Sequence, residues 1–426
     1  MKRLFLFRTY LKMNDLNLFV YIILFVMGIS SMGCSSNVND IEELYESSKK
    51  SSVKETDEIS KTDAIKIASK VLNGDKTRGI MRGLPLFDYV LRSERTRGVN
   101  GNDTLAYILN YPDDKGFVIV AKSKKVHPVL AYSDNGNFSL ENEVSNLQFI
   151  DRIESYIDNA NVNSEFTYSD DGFATCYVVE PMVQLSLGQG FPWDRYVIKD
   201  HPDCPAGCVA VAATIVMSNC KLFMIYHDEV VYFKSMIDAL FSAFGPKSVR
   251  PKSNKAAMNN VIAELVPGDP YIPTYTYGHA LDRMAKFIYQ IGQDLNTKYS
   301  PKGSGAHFED AHALIKRLGF QISPECSKFS MSEVLNYLKD NHIVLIRGVD
   351  LKTITDENQT HHAWVADGCS YCVNPNDPSD VSNYYIHFDW GWSGKNNGYF
   401  SGLVYSVEYN LYRYSPIEYF AVKREY

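Results

Sequence analysis

The chain of 426 residues has room for two or three domains at roughly 150 residues each. Hydrophobic residues at 45% and charged residues at 22% exclude a largely disordered or collagen-like chain. A net charge of −7 without a dense basic run argues against nucleic acid as a partner, and a single apolar segment excludes a polytopic membrane protein.

Lys2, Arg3, Arg8 and Lys12 precede an uncharged apolar run, Leu18–Ile29. As a helix it would reach about 18 Å, short of a hydrocarbon core of about 30 Å, which suits the hydrophobic part of a signal segment better than a stable span. The following Ser30-Ser31-Met32-Gly33-Cys34 resembles a bacterial lipobox. The resemblance implies that Cys34 carries thioether-linked lipid and becomes the new N-terminus; an ordinary signal peptide with an incidental cysteine is the alternative. Acyl chains contribute about 0.8 kcal/mol per buried CH₂, so two or more would hold the protein on a membrane. Ser35 does not look like an inner-membrane retention signal. The expected address is therefore the cell envelope, at the outer membrane or cell surface. Residues 1–34 read as the signal segment, and the polar stretch 35–59 as a flexible tether.

Residues 60–172 read as a small α+β domain with a linker. Ala64, Ile65, Ala68, Val71 and Leu72 have helical spacing behind a Ser/Thr start, with Asn73-Gly74 as the stop. Strand-like runs follow at Thr104–Tyr111, Gly116–Lys122 and Val126–Tyr132, then an amphipathic helix near Leu147–Ile157. Residues 75–100 carry no clear pattern. The polar stretch 159–172 reads as a domain boundary and a cleavage zone.

Beyond residue 172 lie seven of the eight cysteines, all four tryptophans and nine of the ten histidines, so chemistry belongs to residues 173–426. The strongest local feature is Pro205-Ala206-Gly207-Cys208, which opens onto a run apolar all round, the pattern of a short buried helix. At the first turn of such a helix the free N–H groups and the dipole favour a thiolate. Cys208 could equally be a small core residue. His361-His362 heads a strand-like run ending at Asp367-Gly368, and Asp389-Trp390-Gly391-Trp392 ends the next one. A thiol, a distant histidine and a later carboxylate are the parts of a cysteine nucleophile with its base and orienting group.

Taken in order, Gly188-Gln189-Gly190-Phe191-Pro192-Trp193-Asp194, Gly207-Cys208-Val209-Ala210, His362-Ala363, Asp367-Gly368 and Asp389-Trp390-Gly391-Trp392-Ser393-Gly394 resemble the streptopain family of papain-like cysteine peptidases. Met284–Gly292 and the loop Tyr299–Ala306 resemble that family's central helix and Gly/Ser loop. The resemblance spans about residues 175–426. It implies a papain-like α+β catalytic domain behind a folded, inhibitory α+β propeptide, with no cofactor. It also implies Cys208 as nucleophile, His362 as general base, Gln189 as an oxyanion donor with the Cys208 N–H, and Trp390 as a shield, supported by Trp392. His362 rather than His361 fits the family's His-Ala pattern, and strand alternation lets only one of the two face a cleft. The resemblance further implies an apolar side chain upstream of the scissile bond, received by the loop that includes Ser304, Gly305 and Ala306.

Three departures stand out: Leu187 where the family has Trp, an unfamiliar stretch at 221–275, and Asp389 where asparagine is common. A carboxylate beside the dyad would favour imidazolium. Two other readings compete. Cys369-Ser370-Tyr371-Cys372 could bind metal, stay free or form a local disulfide, although no second Cys-x-x-Cys accompanies it. A catalytically silent papain-like surface binding protein is the other, opposed by the presence of Gln189, Cys208 and His362 together. The expectation is a secreted, lipid-anchored cysteine endopeptidase made as a zymogen. Its partners would be protein or peptide substrates, its own propeptide and the membrane.

Overall fold

Ser60 caps the first helix. Its hydroxyl accepts the Asp63 N–H at 3.1 Å and donates to the Asp63 carboxylate at 2.7 Å, so an exposed backbone donor is satisfied where the helix starts. The computed structural model describes residues 57–73, 83–92, 104–140, 152–158, 175–244, 275–349, 361–374, 377–405 and 417–426. The signal segment with Cys34, most of the tether and the 159–172 linker lie outside the described residues.

Helix α1 (Lys61–Asn73) lays Ala64 and Ala68 against Tyr107, Leu109, Val118 and Val120 on one face of a meander. The meander runs β1 (Leu86–Leu91), β2 (Thr104–Asn110), β3 (Phe117–Ala121) and β4 (Val129–Ser133), each antiparallel to the next. Helix α2 (152–158) follows. Strand β1 falls in the stretch that carried no sequence pattern, because its burial alternates only weakly at the sheet edge. The ordered domain also begins before residue 60. The Ile59 N–H donates to the Lys122 carbonyl at 2.6 Å, so residues 57–59 join the meander rather than the tether.

The second half opens with β5 (Thr175–Val179) and α3 (Val197–Asp200). Then comes α4 (Cys208–Cys220), in which every residue is buried. A helix apolar on all sides must sit inside the core, and α4 packs against sheet on one side and helices on the other. Replacing its fully buried Ile215 by Ala would cost about 2–5 kcal/mol. The hairpin β6 (Met224–Tyr226) and β7 (Glu229–Val231) and the helices α5 (Phe233–Phe244), α6 (Tyr277–Asp294) and α7 (Phe308–Arg317) complete the helical layer. Strand β8 (Ser327–Lys328) and helix α8 (Met331–Lys339) lead into β9 (His342–Val349), β10 (His361–Asn374) and β11 (Asp377–Asp389). The chain closes with β12 (Gly398–Ser401), α9 (Gly402–Tyr405) and β13 (Ile417–Lys423).

The two halves share one sheet, in the order β1-β2-β3-β4-β12-β11-β10-β9-β13-β8, with β5 on the second half of β10. Strands β4 and β12 would otherwise be exposed edges, and pairing satisfies their backbone groups across the junction. There Tyr132 sits opposite Tyr399 with the rings stacked at 5.1 Å, and the Tyr132 hydroxyl lies 2.9 Å from Ser370 Oγ.

The Cys-x-x-Cys residues do not act as a pair. Cys369 is a free, buried thiol, whereas Cys372 is disulfide-bonded and its backbone lies opposite Cys176 in the β5–β10 ladder. Among the described residues no group of three or more His, Cys, Asp or Glu is arranged to hold a metal ion.

Candidate active site

Cys208 is the first residue of α4, and Gly207 before it takes φ +94°, a conformation that L side chains rarely adopt. That turn aims the helix N-terminus at β10. The Ala363 amide bonds to the Cys208 sulfur, with the Val209 and Cys208 amides also directed at it. These donors pull the thiol pKa down, yet burial outweighs them and pushes it up. A helix N-terminus alone therefore does not make a thiolate here. The raised pKa leaves the thiol neutral at pH 7.

His362 is the second residue of β10 and is buried, while His361 is exposed, as strand alternation requires. Its Nε2 donates to the Trp390 main-chain carbonyl at 3.0 Å, since a carbonyl can only accept. In the neutral ring the lone pair then sits on Nδ1. Indoles flank the ring, with the Trp392 centroid at 5.0 Å and the Trp364 centroid at 5.9 Å. Burial lowers the imidazole pKa to about 4. Cys208 and His362 thus rest as a neutral pair, far apart in sequence but joined through Ala363.

The Gln189 segment is bolted to the tryptophan loop. Ser393 N–H donates to the Leu187 carbonyl at 2.8 Å, and Trp193 Nε1 donates to Ser393 Oγ at 3.3 Å. A Cβ on Gly188 would come 2.2 Å from Ser393 Oγ, so only glycine permits this approach. The Gln189 carbonyl accepts the Ala206 N–H at 2.8 Å, which sets Gln189 beside the entrance of α4. Leu187, the departure from the family pattern, joins through its backbone and buries its side chain in the core. On the other side of Gly207 stands the Ser304–Ala306 loop. Ser304 is buried, its carbonyl lies 3.3 Å from where a Gly207 Cβ would be, and Gly305 exchanges two backbone hydrogen bonds with Lys298.

Trp390 is buried and held at both polar ends. Its indole N–H donates to the Asn396 carbonyl at 3.0 Å, and its main-chain N–H donates to Asn397 Oδ1 at 3.1 Å. Neither asparagine stood out in the sequence, since a pair of asparagines after Trp-Ser-Gly reads as an ordinary turn.

Asp389 does not take the place expected of it. The partner of His362 Nε2 is the Trp390 carbonyl, not the Asp389 carboxylate. Asp389 pairs with Val365 across the β10–β11 ladder, and cross-strand partners share a face, whereas Val365 and His362 face opposite sides. The carboxylate instead accepts the Gly391 N–H at 2.9 Å and bonds to Ser186. Burial, with neighbouring Asp367 adding to it, raises its pKa to about 6. Asp367 is itself buried and lies 2.6 Å from His387 Nδ1.

Residues 187–400 match the model of the Peptidase C10 family. The chain belongs to that family. Residues 56–157 match the Spi protease inhibitor family, so the Peptidase C10 unit follows an amino-terminal propeptide domain. The chain is 24% identical to streptopain of Streptococcus pyogenes over 316 residues, 67% of this chain and 71% of the relative. Among solved structures it is similar to a Prevotella intermedia prointerpain A fragment, at 18% identity and TM-score 0.46 over 79% of this chain and 98% of that one. It is also similar to the active interpain A cysteine protease of the same organism, at 18% identity and TM-score 0.34 over 57% of this chain and 94% of that one. As a Peptidase C10 protein with a propeptide, the chain is a cysteine peptidase, and the helix-on-sheet placement of Cys208 and His362 fits the papain-like fold.

Proposed function

We propose that this cysteine peptidase is an exported, lipid-anchored endopeptidase made as a zymogen, with Cys208 as nucleophile and His362 as base. The observation that carries the reading is the Cys208 thiol at the head of a buried helix, bonded to the amide that follows His362. In the reaction Cys208 Sγ forms a bond to the peptide carbonyl carbon, and the thiol proton passes to His362 Nδ1. The oxyanion is held by the Gln189 side-chain amide and the Cys208 N–H. Collapse breaks the C–N bond as imidazolium gives its proton to the amine, leaving a thioester. Water, deprotonated by His362, then releases the acid and restores the thiol. Trp390 and Trp392 keep water from the imidazole, and the Ser304–Ala306 loop receives the side chain upstream of the scissile bond.

The propeptide is read as an intramolecular inhibitor. The shared sheet supports this reading, because removing residues 60–172 must break the β4–β12 pairing beside the tryptophan loop. The neutral state of Cys208 and His362 is compatible with an inactive precursor, since burial disfavours both ionised forms. The membrane attachment through Cys34 and the envelope location rest on the sequence alone.

The test is a purified precursor of residues 35–426 incubated with casein, with and without a thiol-directed epoxide, beside its Cys208→Ala variant. Casein cleavage by the first, blocked by the epoxide, and an uncut precursor from the second are expected. Conversion of pure Cys208→Ala precursor to a shorter form would mean that another residue is the nucleophile.

A further inference from the structure

Asp389 and His362 point to opposite faces of the sheet, yet a single peptide group touches both. The Gly391 N–H donates to Asp389 Oδ1 at 2.9 Å. The carbonyl of that same peptide unit, Trp390 C=O, accepts from His362 Nε2 at 3.0 Å. A trans peptide is planar and sends its N–H and C=O in opposite directions, so one rigid unit spans from carboxylate to imidazole. We propose that Asp389 is a positioning residue for His362, acting through the Trp390–Gly391 peptide.

Two physical effects follow. A carboxylate gripping the N–H fixes the plane of the peptide, and with it the direction of the carbonyl that orients the imidazole. Drawing on the N–H also polarises the amide and makes its oxygen a stronger acceptor, which favours imidazolium once the dyad ionises. The surroundings suit this task. Ser186 Oγ bonds to Asp389 and accepts from Asn397 Nδ2 at 3.1 Å, while Asn397 Oδ1 takes the Trp390 N–H at 3.1 Å. The peptide groups on both sides of Trp390 are therefore held by one connected set, Asp389–Ser186–Asn397. The titratable groups on the Asp389 side are Asp367 on β10 and His387 on β11. Beyond them a cavity of about 460 Å³ adds Asp134 from the propeptide, Glu180, and Lys234 and Asp238 from α5. None of these is bonded to the Trp390–Gly391 peptide, so the contact with the dyad runs through Asp389 alone on this face among the described residues.

The proposal rests on the reading of His362 as the base, and the experiment separates the two. Mature enzyme, Asp389→Asn and Asp389→Ala are assayed on a peptide substrate from pH 5 to 9, with Cys208→Ala as the control for the dyad. Asparagine keeps an oxygen for the Gly391 N–H but no charge. Its kcat is expected to fall by less than about tenfold with KM unchanged, and the alkaline limb to move to lower pH by about half a unit or more, because imidazolium is less favoured. Alanine loses the grip itself, and kcat is expected to fall further, by about a hundredfold, with KM still unchanged. Should Asp389→Ala fail to fold, the shift in the Asp389→Asn profile decides by itself. An Asp389→Asn profile that overlays the wild type overturns the relay while leaving the dyad intact. An active Cys208→Ala enzyme would instead overturn the dyad.

Discussion

Asn396 holds Ser139 at both ends. Its Oδ1 accepts the Ser139 N–H at 2.9 Å and its Nδ2 donates to the Ser139 carbonyl at 3.1 Å, so a side chain of the catalytic half imitates a strand partner for the propeptide. The Asn396 carbonyl meanwhile takes the indole N–H of Trp390. The residue that docks the propeptide thus also sits in the loop that positions His362.

Removing that side chain should loosen the propeptide. Asn396→Gly keeps the left-handed backbone, at φ +60°, that Asn396 adopts, and keeps the carbonyl for Trp390. It loses two hydrogen bonds worth about 1–3 kcal/mol together. Hydrogen exchange on Cys208→Ala precursor should show faster exchange at 138–140 with Asn396→Gly added, and Asn396→Gly alone should process faster. Unchanged protection at 138–140 would show that Asn396 does not hold the propeptide.

Gln189→Ala should slow processing and casein cleavage without abolishing either. Loss of one oxyanion donor typically costs about 10²–10³ in rate, while Cys208→Ala or His362→Ala would remove the proposed dyad outright. Single-turnover rates on a peptide ester would read this. A rate equal to wild type would place the oxyanion elsewhere.

The two buried groups of the site should pull stability in opposite directions on acidification. His362 has a folded pKa of about 4, below its unfolded value of about 6.5, so the unfolded chain takes its proton first and stability is lost from about pH 6.5 down to 4. Asp389 has a folded pKa of about 6, above its unfolded value of 3.8, so the native state takes its proton first and stability is gained as pH falls through that window. Each slope is at most about 1.4 kcal/mol per pH unit. In the Cys208→Ala precursor, Asp389→Asn should therefore steepen the acid loss and His362→Gln should reverse it. Urea midpoints at pH 4.5, 5.5 and 6.5 would measure both, and identical pH dependence in all three proteins would contradict the burial of these groups.

Cys34→Ala should move the protein from the membrane pellet to the soluble fraction, because the atom that would carry the lipid is gone. A variant that stays in the pellet after a high-salt wash would sink the lipobox reading.

Much of the candidate site's local structure was legible along the chain because its parts are local. The apolar run behind Gly207-Cys208 dictates a buried helix whichever way the rest folds, and β10 can turn only one of two adjacent histidines inward. Family motifs fall on these same residues. The meander strands and α1 were legible for the same reason, since period and cap are local signals, whereas β1 lacked a period and 57–59 looked like tether.

Tertiary structure decided what depends on partners distant in sequence. The fusion of the two halves through β4 and β12 needs two edges that no local pattern names. The orientation of Asp389 follows from ladder register, so a carboxylate next to Trp390 in sequence faces away from His362 and meets it only through a peptide group. The charge state of the dyad was decided there as well. The sequence places Cys208 at a helix N-terminus, which favours thiolate, but burial acts on the whole group and wins.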